Sequence, residues 1–149
     1  MNHWDQRFME MAHKVATWSK DPSTKVGAYI AKGNVPVSHG FNGFPRGTSD
    51  DPALYEDRVR KYRRVLHAEQ NALAFAQRDL SGCTMYVTHA PCSSCVAQII
   101  QSGITRVVCP NPWLDEDYIS RWKDDVLETE AMCAEAGVKL EYTQNGPEA

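Results

Sequence analysis

The chain predicts an α/β fold, and two patterns carry that prediction. Its second half alternates helical and strand-like runs (helix, strand, helix, strand, helix, strand), as a sheet with parallel strands requires. Its first half opens on an amphipathic helix followed by two short apolar runs separated by Lys32, Gly33 and Asn34, which reads as a hairpin.

Each element has a local reason. Trp4, Phe8, Met11, Ala12, Val15 and Trp18 recur at helical spacing, and the helix stops before Asp21-Pro22. Residues 26–31 and 35–40 are the hairpin strands; Pro36 has no N–H for a ladder, so the second strand belongs at an edge. Residues 41–66 read as a loop with Gly43, Pro45, Gly47 and Pro52, then a charged stretch. Ala68, Ala72, Leu73, Phe75 and Ala76 predict a second helix over 67–77, ended by Ser81-Gly82. Residues 84–88 form a strand, and Cys92 opens a third helix through Val96, Ile99 and Ile100, stopped by Gly103. The strand at 105–109 breaks at Pro110 and Pro112. Tyr118, Ile119, Trp122, Val126 and Cys133 mark a long fourth helix ended by Gly137, and 138–142 is the last strand before a polar tail, 143–149. With no repeat, low-complexity tract or linker, residues 1–149 read as one domain.

Composition narrows the function. A 149-residue chain with 42% hydrophobic and 23% charged residues has the make-up of a globular protein with a sizeable core. A net charge of -3 argues against broad nonspecific nucleic-acid binding. No apolar run approaches the ~20 residues that span a membrane. The start, Met1-Asn2-His3-Trp4-Asp5, lacks the basic and then apolar segments of a signal peptide, so a cytoplasmic location with five reduced cysteines is expected. Cys83, Cys109 and Cys133 lie in apolar or helical runs and read as buried structural residues.

Two clusters carry the chemistry: His67-Ala68-Glu69 and Pro91-Cys92-Ser93-Ser94-Cys95. One imidazole and two thiolates suit three faces of a tetrahedral Zn²⁺ site and leave the fourth open, as metal-assisted hydrolysis requires. Both clusters stand at helix starts, where unpaired N–H groups and the helix dipole favour the thiolates of Cys92 and Cys95. Glu69 is placed to handle protons without ligating. Taken alone, Cys-x-x-Cys also fits a redox site or half of a zinc ribbon, and His-x-Glu fits a solvated helix start. A ribbon needs a second close cysteine pair, which the chain lacks, and a noncatalytic zinc-stabilised binding module has no use for Glu69. Zinc nucleobase deaminases combine these elements. In that chemistry Glu69 moves a proton from water to a ring nitrogen and then to the departing amine. Pro91 fixes the backbone before Cys92, and the N–H and C=O groups around Ala68 and Ala90 are placed to hold the base edge.

Further motifs narrow the family. Asp21-Pro22-Ser23-Thr24-Lys25-Val26-Gly27, Gly40-Phe41-Asn42-Gly43-Phe44-Pro45-Arg46-Gly47, Ser49-Asp50-Asp51 and His67-Ala68-Glu69-Gln70-Asn71-Ala72, with the cysteine motif, resemble the deoxycytidylate (dCMP) deaminases across residues 18–109. The zinc motifs alone specify only the cytidine deaminase superfamily. The resemblance implies a three-layer fold with a central mixed five-stranded sheet, Zn²⁺ as cofactor, and hydrolysis of dCMP to dUMP and ammonia, supplying dUMP for thymidylate synthesis. It implies a homo-oligomer, commonly a hexamer, with Asn42 on the sugar hydroxyl and Ser23, Thr24 and Lys25 near the phosphate. Phe41 stands where the family more often has tyrosine, which removes a hydroxyl.

Several residues keep two readings. Lys25 and Arg46 interrupt neutral loops and suit a phosphate, or are solvated surface cations. Asn42 serves the sugar or simply a turn. His89 reaches the pocket mouth or ends a strand. Arg58, Arg60, Lys61, Arg63 and Arg64 form either a dCTP or dTTP effector site or a helix face paired internally with Glu56 and Asp57. Trp113, Tyr118 and Trp122 pack on the sheet or form an association face. A free base, a nucleoside or a tRNA adenosine are the alternative substrates; the absence of a basic tail counts against tRNA.

Overall fold

In a computed structural model of the chain, residues 1–144 are described, and positions 145–149 of the polar tail lie outside the described residues. Helix α1 (His3–Ala16) begins with a reciprocal cap: Asn2 accepts the Asp5 N–H at 3.0 Å and donates its own N–H to the Asp5 carboxylate at 3.1 Å. Strands β1 (Gly27–Lys32) and β2 (Val35–Phe41) form the hairpin, turned through Gly33 at φ 61°. Helices α2 (Pro52–Glu56), α3 (Arg58–Arg64) and α4 (Ala68–Ala76) precede β3 (Thr84–Val87). Then follow α5 (Ser93–Gln101), β4 (Arg106–Pro110), a 3₁₀ turn at Pro112–Leu114, α6 (Glu116–Ala136) and β5 (Lys139–Thr143).

The sheet order is β2-β1-β3-β4-β5. The hairpin and the β1–β3 pair are antiparallel, whereas β3–β4 and β4–β5 are parallel, so the sheet is mixed. Pro36 does sit on an edge strand, and the register slips beside it, between Ile30 and Ala31.

Strand alternation sorts the core into two layers. Ile30, Met85, Val87 and Val107 face Ala68 and Ala72 of α4 and Ile99 of α5. Tyr29, Ala31, Tyr86 and Val108 face Phe8, Ala12 and Val15 of α1 on the opposite side. Two glycines let helices reach the hairpin at backbone distance. A Cβ on Gly27 would lie 2.0 Å from the Ala12 carbonyl oxygen, and one on Gly40 would lie 2.4 Å from the Ala72 nitrogen. Helix α6 packs against α5 and ends at Gly137 in the left-handed conformation, φ 73°.

Two expectations change. The stretch 41–66 contains α2 and α3, because Pro52 stands in a first helical turn, where its missing N–H costs nothing, and Asp51 and Asp57 cap the two helices. The second helix ends at Ala76, with Gln77 left-handed at φ 50°, before Ser81-Gly82 is reached. Among the described residues no helix is long and apolar enough to cross a membrane.

One polar network ties α1 to the parallel strands. Arg106 donates to both oxygens of Asp5 at 2.8 and 2.9 Å and to Glu141 at 2.6 Å, and the Tyr86 hydroxyl donates to Asp5 at 2.7 Å. The Arg106 hydrogen bonds hold the Asp5 carboxyl far below the usual carboxylate range, against the opposing pull of burial. The stabilisation is therefore complete above the unfolded-state pKa of about 3.9 and fades as pH falls toward the folded value. Asp5→Asn is expected to cost about 3 kcal/mol at pH 7, because it weakens a buried pair. Melting curves from pH 7 down to pH 2 should show the gap to wild type closing; a gap independent of pH would show that the pair contributes little.

Candidate active site

The site lies where α4 and α5 begin. His67 is the residue before α4, and its backbone N–H donates to the Gln70 side-chain oxygen at 2.8 Å, which fixes the turn that presents the ring. Cys92 is the residue before α5, and Cys95 stands one turn further along the same face. The two helix starts bring His67 Nδ1 to 3.1 Å from Cys95 Sγ and 3.8 Å from Cys92 Sγ, with all three donor atoms within 4.8 Å of one another. Zinc bond lengths in a tetrahedral site demand an N···S separation of about 3.6 Å, which these distances bracket. One imidazole and two sulfurs fit zinc and do not fit the harder, oxygen-seeking cations. The expected ligand set is thus brought together.

Glu69 is 4% exposed and does not belong to that triad. Burial pushes its carboxyl above the ordinary glutamate range, outweighing the favourable field of His67. Cys92 moves the other way: hydrogen bonding with Cys95 and then with His67 brings its thiol down to about 4, while Cys95 is pushed up. The two sulfurs share a hydrogen bond and titrate as a pair.

A cavity of about 1020 Å³ opens over these groups. His67, Ala68, Glu69, Ala90 and Cys92 line its floor. Asp21, Ser23, Thr24 and Asn42 form one wall, and Arg58 and Lys61 of α3 another. The third wall was not anticipated: Tyr118, Trp122 and Asp125 project from α6 at positions i, i+4 and i+7. The aromatic crowding read from the sequence as packing or association includes two of these three, and their helical spacing was the signal that they share a face.

Other predicted residues find different surroundings. Asn42 lines the cavity, but its side chain already donates to Thr24 O at 2.9 Å and Asp21 at 3.3 Å and accepts from Val26 N–H at 2.9 Å. Lys25 donates to the Ser19 carbonyl and lines a second cavity of about 580 Å³, which shares Ser23, Thr24 and His89 with the first. Arg46 lies outside both cavities, its guanidinium 5.3 Å above the Phe75 ring. The Phe41 ring meets Trp18 edge-on at 6.4 Å. His89 lines both cavities, and burial lowers its pKa, which favours the neutral ring.

The basic cluster does not pair internally as one helix face. Asp57 ends α2 and caps α3, and its carboxylate accepts the Arg60 N–H at 3.2 Å. Lys61 instead reaches across the cavity wall to Asp21 at 2.9 Å. Burial of Asp21 opposes its ionisation, but hydrogen bonds from Lys61 and from the Ser23 and Thr24 backbone leave its pKa lowered overall. No ion-pair partner for Arg58 is seen among the described residues.

The chain is similar to known proteins in sequence and fold. Residues 2–110 match the family described as the cytidine and deoxycytidylate deaminase zinc-binding region. An uncharacterized deaminase from the luxG 3′ region of Aliivibrio fischeri is 49% identical over 142 residues, covering 95% of each chain. The human deoxycytidylate deaminase is 41% identical over 112 residues, 70% of this chain and 63% of that protein, so the match takes in less than two thirds of that relative. The dCMP deaminase of cyanophage S-TIM5, solved in complex with dCMP and dUMP, superposes with a TM-score of 0.68 at 26% identity, covering 96% of this chain and 98% of that one.

Metal binding should stabilise the fold through the three donors. Chelation is expected to lower the melting temperature of the wild type by several degrees. Cys92→Ala should abolish stoichiometric zinc by elemental analysis, and its melting temperature should barely respond to chelator. Full zinc content in that variant would remove Cys92 from the ligand set.

Proposed function

The chain belongs to the cytidine and deoxycytidylate deaminase family, and from that membership we propose that it hydrolyses dCMP to dUMP and ammonia, supplying dUMP for thymidylate synthesis. The observation that carries the chemistry is a buried carboxyl, Glu69, beside three zinc donors on a cavity floor. The substrate assignment is supported by relatives named as deoxycytidylate deaminases and by the phage structure that holds dCMP and dUMP.

Zinc bound by His67, Cys92 and Cys95 supplies the Lewis acidity that makes water nucleophilic at neutral pH. Glu69 accepts a proton from the attacking water and delivers it to the cytosine ring nitrogen, which makes the amine-bearing carbon electrophilic. The water oxygen bonds to that carbon; Glu69 then takes the remaining proton from the added hydroxyl and passes it to the amino group, and the carbon–nitrogen bond breaks to leave ammonia and a carbonyl. A raised pKa suits a group that must both take and give a proton. The backbone groups of Ala68 and Ala90 hold the base edge, and Asn42 and Ser23 face the sugar and phosphate. Arg58 is the phosphate cation, because it lines the cavity without an ion-pair partner among the described residues, and Lys25 supports that region from the adjoining cavity.

We read the 149 residues as one zinc-dependent deaminase domain, cytoplasmic and assembled as a homo-oligomer, commonly a hexamer in this family. With Lys61 committed to Asp21, the remaining cluster residues Arg60, Arg63 and Arg64 are the ones left for a dCTP or dTTP effector.

Glu69→Ala is expected to retain zinc while turnover falls by about 10²–10⁴-fold; an active Glu69→Ala enzyme would refute the mechanism. Deoxycytidine should be a poorer substrate than dCMP by a factor on the order of a hundred or more in kcat/KM, since it leaves the phosphate cation unpaired. Arg58→Ala should narrow that ratio. Equal efficiencies on the two compounds in the wild type would reject the nucleotide assignment.

A further inference from the structure

Helix α5 carries two metal ligands at its start, yet the residue that would normally cap it is itself a ligand. Cys92 occupies the N-cap position, with φ -72° and ψ 164°, and makes no side-chain cap hydrogen bond. Its sulfur points toward His67 Nδ1. The first N–H of the helix therefore needs a partner from elsewhere. It finds one in α6: Asp125 accepts the Ser93 N–H at 3.0 Å with one oxygen and the Ser93 hydroxyl at 2.5 Å with the other. Asp125 is partly buried, lies on the cavity wall, and shares its helix face with Tyr118 and Trp122.

We propose that Asp125 is a positioning residue for the metal centre, holding the first turn of α5 from α6 so that Cys92 and Cys95 present their sulfurs together. The proposal rests on the zinc reading of the site but not on the identity of the substrate. Ser93 follows Cys92 directly, so fixing both its polar groups fixes the backbone on which the Cys92 sulfur turns. A carboxylate at a helix start also complements the dipole there. Cys95 lies one turn further on, and any rotation of that turn changes the separation of the two sulfurs. Outer-shell partners of metal ligands commonly carry a 10–100-fold effect on affinity.

The test is zinc affinity measured by competition with a chromophoric chelator. Asp125→Ala should weaken binding by about 10–100-fold, and Asp125→Asn, which keeps one acceptor, should fall between it and wild type. Ser93→Ala should give a smaller loss, and adding it to Asp125→Ala should cost little more, because the second residue acts through the first. In the cobalt-substituted protein, Asp125→Ala should perturb the ligand-field bands. Asn2→Ala, which removes the cap of α1, is the control: it should lower the melting temperature without changing zinc affinity. Should Asp125→Ala fail to fold, Ser93→Ala and Asp125→Asn decide the matter. Wild-type zinc affinity and cobalt spectra in the folded variants would overturn the proposal, even if turnover on every cytosine compound were lost. Weakened zinc binding would sustain it, whatever the substrate proves to be.

Discussion

Gly40 lets α4 rest against the edge of the hairpin at backbone distance, and that contact determines where His67 and Glu69 stand relative to the cysteines of α5. Any side chain at Gly40 would meet the backbone of Ala68, Asn71 and Ala72, so α4 would have to lift off β2. The approach is reinforced by polar contacts at the same seam. Ser38 donates to the Ala72 carbonyl at 2.8 Å, and Asn71 donates to the Phe41 carbonyl at 2.7 Å. Helix α5 is placed independently, by the crossover from β3 to the parallel strand β4. The metal donors converge because a hairpin-bound helix and a crossover helix begin at the same place.

That convergence also sets the electrostatics. Glu69 is buried, so its charged form lacks water, and that loss of hydration raises its pKa against the opposing field of His67. The starts of two helices offer partial positive charge to the sulfurs, and the imidazole contributes to lowering Cys92. A carboxyl that is costly to ionise and a sulfur that is easy to ionise stand side by side. Such a division suits the proposed roles, one group to move protons and others to hold a metal.

Much of the fold was legible because local rules and tertiary packing agree along most of the chain. Five strands fell where apolar β-prone runs predicted them, and Pro36 marked the edge. The ligand set was legible because its residues lie within two short motifs. What sequence spacing did not reveal are contacts between distant positions. Lys61 and Asp21 are 40 residues apart, and Ser93 and Asp125 are 32 apart. The two short helices within 41–66 were hidden by glycines and prolines that also suit a loop, although Pro52 at a helix start is permissive. Arg46 stood in a motif next to the site, yet its guanidinium settles on Phe75. Motif membership located the loop without saying where the side chain turned.

The division between legible and hidden parts follows the division of labour in the site. The residues proposed for proton transfer and metal binding sit at helix starts, whose geometry short motifs can encode. The cavity walls are assembled from the 21–24 loop, α3 and α6, three segments far apart in sequence. Asp21 joins the first two: it accepts from Ser23 and Thr24 in its own loop, from Asn42 after the hairpin and from Lys61 of α3. Its buried carboxylate is thus a hub whose partners all carry N–H donors. Loss of any one donor would leave the charge less compensated and would loosen the wall as a unit. The His67, Glu69, Cys92 and Cys95 side chains are held at helix starts packed on the sheet, whereas the 21–24 loop and α3 are held together by one carboxylate.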